Sequence, residues 1–123
     1  MSDGWIGVDM DGTLAVYDGW RGISHIGEPI QKMVQRVKSW LEDGRDVRIF
    51  TARVAPKSLM ANSAERHTVT DPIEAWCFKH LGAVLPVTHE KDFQMVELWD
   101  DRCVQVIENT GERADGVQDE VNA

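Results

Sequence analysis

The chain predicts an α/β fold: one doubly wound, Rossmann-like parallel sheet in a single domain. Three observations carry that expectation. The apolar run Trp5-Ile6-Gly7-Val8 reads as a buried strand, and it ends abruptly in Asp9-Met10-Asp11-Gly12-Thr13, where Gly12 permits a sharp exit and Thr13 offers a hydroxyl to the turn. From Pro29 to Glu42, the residues Ile30, Met33, Val34, Val37, Trp40 and Leu41 recur at three- and four-residue steps, the pattern of an amphipathic helix with Pro29 in its first turn and Gly44 as its stop. Asp46-Val47-Arg48-Ile49-Phe50 then supplies a second strand, so strand, helix and strand form a right-handed βαβ unit with parallel pairing.

A chain of 123 residues suits one domain with a true core and leaves no room for a second. Hydrophobic residues at 42% and charged residues at 28% are the balance of a soluble globular protein and exclude disorder throughout. The net charge of −8 excludes a broad non-specific surface for nucleic acid or anionic membrane, since both need basic patches; a local basic site and an oligomer stay open. Cys77 and Cys103 lack metal-ligand spacing and make at most one disulfide, which predicts a reduced, cytoplasmic setting. There is no charged-then-apolar leader and no run of about 18 apolar residues, so neither secretion nor a membrane span is expected.

The remaining elements follow in order. Residues 15–29, with Gly19, Gly22, Gly27 and Pro29, predict an irregular segment or small hairpin. Residues 54–71 are polar and predict a loop or short helix over the sheet edge. Asp71-Pro72 reads as an N-cap and first-turn proline, opening a helix through Ile73, Trp76, Cys77, His80 and Leu81 that Gly82 stops. A third strand is expected at Ala83–Val87, where Pro86 indicates a sheet edge. Val96–Trp99 predicts a fourth, running into Asp100-Asp101-Arg102, and Cys103–Ile107 a fifth that closes the sheet. The domain is expected to span 1–111, with Asn109-Thr110-Gly111 turning the chain out into a frayed acidic tail over 112–123.

Two carboxylates at the carboxyl end of a strand occupy the place where open α/β sheets bind ligands, and they can serve as nucleophile, proton carrier or metal ligand. Two plainer accounts compete. In an EF-hand register, Asp9, Asp11 and Gly12 take the third, fifth and sixth positions; Gly7 then stands at the first ligand position and Asp18 where a bidentate Glu belongs, after a strand-like run instead of an entering helix. A structural turn is the other.

The strand followed by Asp9-x-Asp11-Gly12-Thr13-Leu14 resembles the first motif of the haloacid dehalogenase superfamily of phosphohydrolases. The resemblance implies that Asp9 is the nucleophile and Asp11 the general acid and base. Thr51, at the end of the second strand, resembles the second motif, which implies phosphate binding by Thr51-Ala52-Arg53; Arg53 either binds substrate or anchors its loop. Lys91, just before the last acidic strand, resembles the third motif, whose cation offsets the charge of nucleophile and phosphoryl group. Asp100-Asp101 resembles the fourth. It implies a Mg2+ ion held by the Asp9 carboxylate, the Asp11 backbone carbonyl and Asp101, with Asp100 supporting from behind. About 40 residues separate Asp11 from Thr51, and another 40 separate Thr51 from Lys91, all accounted for by elements, so no cap domain is expected. A flap over 15–29 leans on the site instead, with Arg21 able to reach a phosphate. Thr51-Ala52-Arg53 and Trp99-Asp100-Asp101-Arg102 are most similar to compact capless members akin to the phosphatase domain of phage polynucleotide kinase and the small deoxyribonucleotidases.

The implied activity is magnesium-dependent hydrolysis of a phosphate monoester through an aspartyl-phosphate, on a nucleotide or a nucleic-acid terminal phosphate, with no membrane partner. Asp11 is expected to have a raised pKa and Asp9 to stay ionised beside the metal. The alternative is a non-catalytic module that binds a divalent metal or a phospho-ligand.

Overall fold

The computed structural model describes residues 4–55 and 66–118. β1 (Trp5–Val8) lies between β2 (Asp46–Phe50) and β4 (Met95–Trp99), and the short β3 (Val87–Thr88) extends β2 outward. All pairings are parallel, in the order β3-β2-β1-β4. β1 is buried along its whole length, as a central strand must be.

The connections decide which face carries helices. The steps from β1 to β2 and from β2 to β3 run the same way across the sheet, so right-handed crossovers put α1 (Gln31–Glu42) and α2 (Arg66–Leu81) on one face. Their apolar stripes accordingly share one core with Ile6, Val8, Val47 and Ile49, the strand residues that alternate onto that face. The return from β3 to β4 crosses β2 and β1 on the opposite face, through residues 89–94 and without a helix. Asp92 fixes this strap: its Oδ1 accepts the Trp5 indole N–H at 2.8 Å, while the Arg48 guanidinium sits 4.8 Å above the Trp5 ring. The α/β class and the single parallel sheet are as expected. Among the described residues, helices cover one face and a strap the other.

Several elements depart from the sequence reading. Pro29 is bridged to Ala15 outside α1, which begins at Gln31. Helix α2 starts at Arg66 and contains Pro72 in its interior, where the sequence predicts a start at Asp71. A proline removes one backbone donor, but Val69 and Ile73, one turn apart and both fully buried, hold the helix to the core on either side of it. β3 is confined to Val87–Thr88, because Pro86 has no N–H to pair; its carbonyl still accepts the Ile49 N–H at 2.8 Å, and the edge position holds.

Cys103–Ile107 is not a closing strand. Val104, Val106 and Ile107 are exposed, and 105–107 pairs instead with 112–114 through Ile107 N–H to Glu112 O at 2.8 Å and Ala114 N–H to Gln105 O at 2.9 Å. Asn109 and Gly111, with φ of 67° and 75°, make that turn, so the first part of the expected tail is paired back, not frayed. β4 is left as an edge strand. Of the connection expected over 54–71, residues 56–65 lie outside the description, and Ala52–Val54 form a single 3₁₀ turn.

Segment 15–29 is a small hairpin at its base, closed by Val16 N–H to Glu28 O and Ile30 N–H to Leu14 O, both 2.8 Å. The Trp76 indole N–H donates to Gly27 O at 2.9 Å and ties the flap to α2. A β-strand stands where an EF-hand would need its entering helix, and Asp18 pairs with Arg21. Among the described residues no helix is long and apolar enough to cross a membrane.

The α2 anchoring gives a direct test. Ile73→Ala should cost about 2–5 kcal/mol in chemical denaturation, the range for emptying a fully buried aliphatic site. Phe78→Ala, on the exposed side of the same helix at 67% exposure, should stay within about 0.5 kcal/mol of the parent.

Candidate active site

β1 and β4 run side by side in parallel, and the Asp9 N–H donates to Trp99 O at 2.9 Å. The next residues out of each strand are therefore neighbours: Asp9 above β1, Asp100 and Asp101 above β4. β1 is also where the order of connection reverses, with β2 to one side and the late-arriving β4 to the other. Open α/β sheets leave a crevice at that point, beyond the strand carboxyl ends. The carboxylates of Asp9, Asp100 and Asp101 each offer an oxygen there, all within 4.8 Å of one another.

The turn after β1 is shaped around these acids. The Thr13 hydroxyl donates to Asp101 Oδ1 at 3.1 Å and stands 3.5 Å from Asp9 Oδ2. Gly12 has φ of +93°, and a Cβ on it would stand 2.7 Å from Asp101 Oδ2, so both the backbone conformation and the space demand glycine. Asp100 is turned by its own loop, Oδ1 accepting the Arg102 N–H at 2.8 Å.

Three acids this close cannot all carry charge without a cation. Burial pushes Asp9 up to about 8, helped by its hydrogen bond to Asp101 and by the charges of Asp100, Asp101 and Asp11. Asp101 moves the other way: the hydrogen bond with Asp9 holds it below the usual carboxylate range, with Thr13 and Arg102 adding to the effect. The pair thus shares a proton that resides on Asp9. The sequence reading expected the raised group to be Asp11 and the ionised one Asp9. The upward shift on Asp9 belongs to the metal-free protein, where no cation offsets Asp100 and Asp101, and the Asp11 carboxylate is paired with Arg53. Carboxylate oxygens are hard donors, suited to magnesium, calcium or manganese, and a divalent cation would take the place of the shared proton.

Arg53 is the other centre of the site. Its side chain is only 5% exposed, and Nε and Nη2 donate to the two Asp11 oxygens at 2.7 and 2.9 Å. Nη2 also donates to His25 O at 2.9 Å and Nη1 to Ile23 O at 3.3 Å, so one guanidinium binds the acid loop to the flap. Of the two roles left open for Arg53, anchoring is the one these contacts display. Thr51 is buried beside it, its Oγ1 accepting the Arg53 N–H at 3.1 Å while the hydroxyl proton remains available to an acceptor.

Asp9, Asp11, Thr51, Ala52, Arg53, Asp100 and Asp101 all line one cleft of about 690 Å³. Lys91 does not line it. It is exposed on the 89–94 strap, next to Asp92, whose carboxylate is fixed to Trp5 at the start of β1, four residues or about 13 Å along the strand from Asp9. Arg21 is also outside the lining and pairs with Asp18 on the surface at 2.8 Å. Among the described residues, the cations on the cleft are Arg53 and Arg102.

Asp100, expected only to support from behind, brings its own carboxylate into the converging group. The Asp11 carboxylate is engaged by Arg53, and the Asp11 ligand expected from the resemblance is its backbone carbonyl, which that contact leaves untouched. Sequence reasoning gave no site role to Thr13, Tyr17, Trp20, Phe50 or Arg102. For Tyr17 and Trp20, the available signal was two large aromatics in a glycine-rich segment with no core pattern to absorb them.

The Asp9 shift sets two pH dependences. An acid whose pKa stands above its ordinary 3.8 in the folded chain holds its proton more tightly folded than unfolded, so metal-free protein loses stability as pH climbs from about 4 towards about 8. Thermal melts in chelator should fall by several degrees across that window, and Asp9→Asn should flatten the profile. Because a cation competes with the same proton, magnesium affinity measured by calorimetry should rise about tenfold per pH unit up to about 8 and then level off. An affinity independent of pH would exclude Asp9 as a ligand. No family model, curated protein sequence or solved structure matches the chain.

Proposed function

We propose that the protein is a magnesium-dependent phosphate monoester hydrolase of the haloacid dehalogenase type, working through an aspartyl-phosphate on Asp9. Its substrate is a nucleotide or the terminal phosphate of a nucleic acid. The observation that carries this reading is the convergence of Asp9, Asp100 and Asp101 at the reversal point of the sheet, with Asp11 two residues on and paired to an arginine. Two carboxylates thereby share one cleft in different environments, which supports the roles of nucleophile and acid proposed for them.

In the first step a carboxylate oxygen of Asp9 attacks phosphorus and the bond to the ester oxygen breaks. Asp11 gives its proton to the departing alkoxide. In the second step Asp11, now a carboxylate, takes a proton from a water whose oxygen attacks phosphorus. The Asp9–phosphorus bond breaks, and inorganic phosphate leaves. Asp9, Asp100 and Asp101 would hold the magnesium ion, which supplies positive charge against the gathered carboxylates and phosphoryl oxygens.

This chain's own cations for the phosphoryl group are Arg53 and Arg102, in the place given to Lys91 by resemblance. Arg53 begins bound to Asp11. A phosphoryl dianion offers its planar fork a competing partner, and passage of the Asp11-facing donors towards it releases Asp11 to take up the proton it must deliver, while the carbonyls of Ile23 and His25 keep the guanidinium against Trp20. Thr51, with a hydroxyl proton to donate, supports the same anion. A reduced, cytoplasmic setting accords with this reading, in which buried Cys77 and exposed Cys103 are both free thiols.

The decisive assay is phosphate release from p-nitrophenyl phosphate with magnesium and after chelation. Chelation should abolish turnover, and equal rates in both conditions would overturn the reading. Asp9→Asn should remove all but about a hundredth of the rate or less, and Asp11→Asn should slow the reaction by about 10²–10⁴-fold. Binding of magnesium without turnover of any ester would leave a metal-binding module in its place.

A further inference from the structure

We propose that the flap carries a leaving-group subsite: Trp20, with Tyr17 beside it, is a platform on which the planar base of a nucleoside monophosphate stacks while its phosphate lies at Asp9. The inference rests on the phosphohydrolase reading and adds the part of the substrate that reading leaves unassigned.

The first observation is the exposure of the two rings. Tyr17 and Trp20 are 51% and 46% exposed, in a protein whose other described tryptophans are buried or half-buried. Neither belongs to the hydrophobic core, yet both line the cleft that holds Asp9, and Phe50 adds a third aromatic wall. The second observation is that Trp20 is held in place. The Arg53 guanidinium stacks over its ring at 4.9 Å, and that guanidinium is itself fixed by Asp11 and by the carbonyls of Ile23 and His25. An exposed indole braced from behind by a cation is preorganised for stacking, because the ordering of its side chain is already accomplished in the free protein. The third is size. A cleft of about 690 Å³ lies in the range that takes a whole drug-sized molecule, far beyond a phosphoryl group with its cation.

A cleft lined by acids and guanidinia together with exposed aromatic rings matches a ligand with a phosphate, a polar spacer and a flat apolar ring. A nucleoside monophosphate has those three parts in that order. Ribose 5-phosphate has the first two only, which makes it the discriminating comparison.

The experiment measures kcat/KM for adenosine 5′-monophosphate and for ribose 5-phosphate in the parent, Trp20→Ala and Trp20→Phe. Stacking of one base on an aromatic side chain is worth about 1–3 kcal/mol, which is about 5- to 150-fold. The ratio of the two kcat/KM values should therefore fall about 5- to 150-fold in Trp20→Ala, through KM of the nucleotide, and recover most of the way in Trp20→Phe. A ratio unchanged by Trp20→Ala, or a fall that Trp20→Phe does not repair, overturns the subsite. Calorimetric binding of the same two ligands to Asp9→Asn in magnesium separates this from the chemistry. If neither ester is turned over by the parent, the phosphohydrolase reading fails; the subsite still stands or falls on whether the nucleotide binds at least about fivefold tighter than ribose 5-phosphate and loses that margin in Asp9→Asn/Trp20→Ala.

Discussion

Everything at the upper edge of this sheet depends on the parallel pairing of β1 with β4. These two strands are the most distant of the four in sequence, and only their lateral hydrogen bonds make Asp9 a neighbour of Asp100 and Asp101. The strap over 89–94 makes that pairing reachable. Leaving β3 at the top of one edge, it crosses the uncovered face and delivers the chain to the foot of β4, with the Asp92–Trp5 hydrogen bond as its fixed point. The acid cluster is thus a product of topology: repulsion among its members is imposed by strands whose own stability comes from a core on the other face.

Arg53 then converts a group of acids into an ordered site. It stands just beyond β2, yet it holds the loop after β1 and two carbonyls of the flap, and its plane underlies Trp20. A bidentate carboxylate pair with a nearly inaccessible guanidinium is costly to break at one partner, since the other is left as an unpaired buried charge. Lysine cannot reproduce it, lacking the planar fork and the stacking face. The flap, the acid loop and the turn after β2 therefore keep their relative positions through one side chain.

Much of this was legible in the sequence, for reasons that differ by residue. Strand β1 and its acids stand out because a β-branched run ending in Asp-x-Asp-Gly allows few local structures, and α1 shows because its apolar spacing is unbroken. The start of α2 was hidden by Pro72, a local signal for a boundary that two fully buried residues on either side overrule. Val104, Val106 and Ile107 carry strand propensity without joining the sheet, since propensity does not reveal which partner edge is within reach. Lys91 and Arg53 show the same limit in the site. Order along the chain suggested the lysine, whereas the strap that carries it runs down the far face, and the arginine's reach to Asp11 across 42 residues has no sequence signature.

The open side of β4 has a bearing on how this molecule behaves in company. A strand at the rim of a sheet presents unsatisfied N–H and C=O groups to any extended segment that approaches, and Val96, at 46% exposure, makes this rim partly greasy. Glu97 and a net charge of −8 set like charge against the approach of an identical molecule there. That protection acts at a distance and is weakened by salt, with a screening length of about 10 Å at 0.1 M. Charge along this rim is accordingly a barrier whose height the medium sets, lower in salt than in dilute buffer.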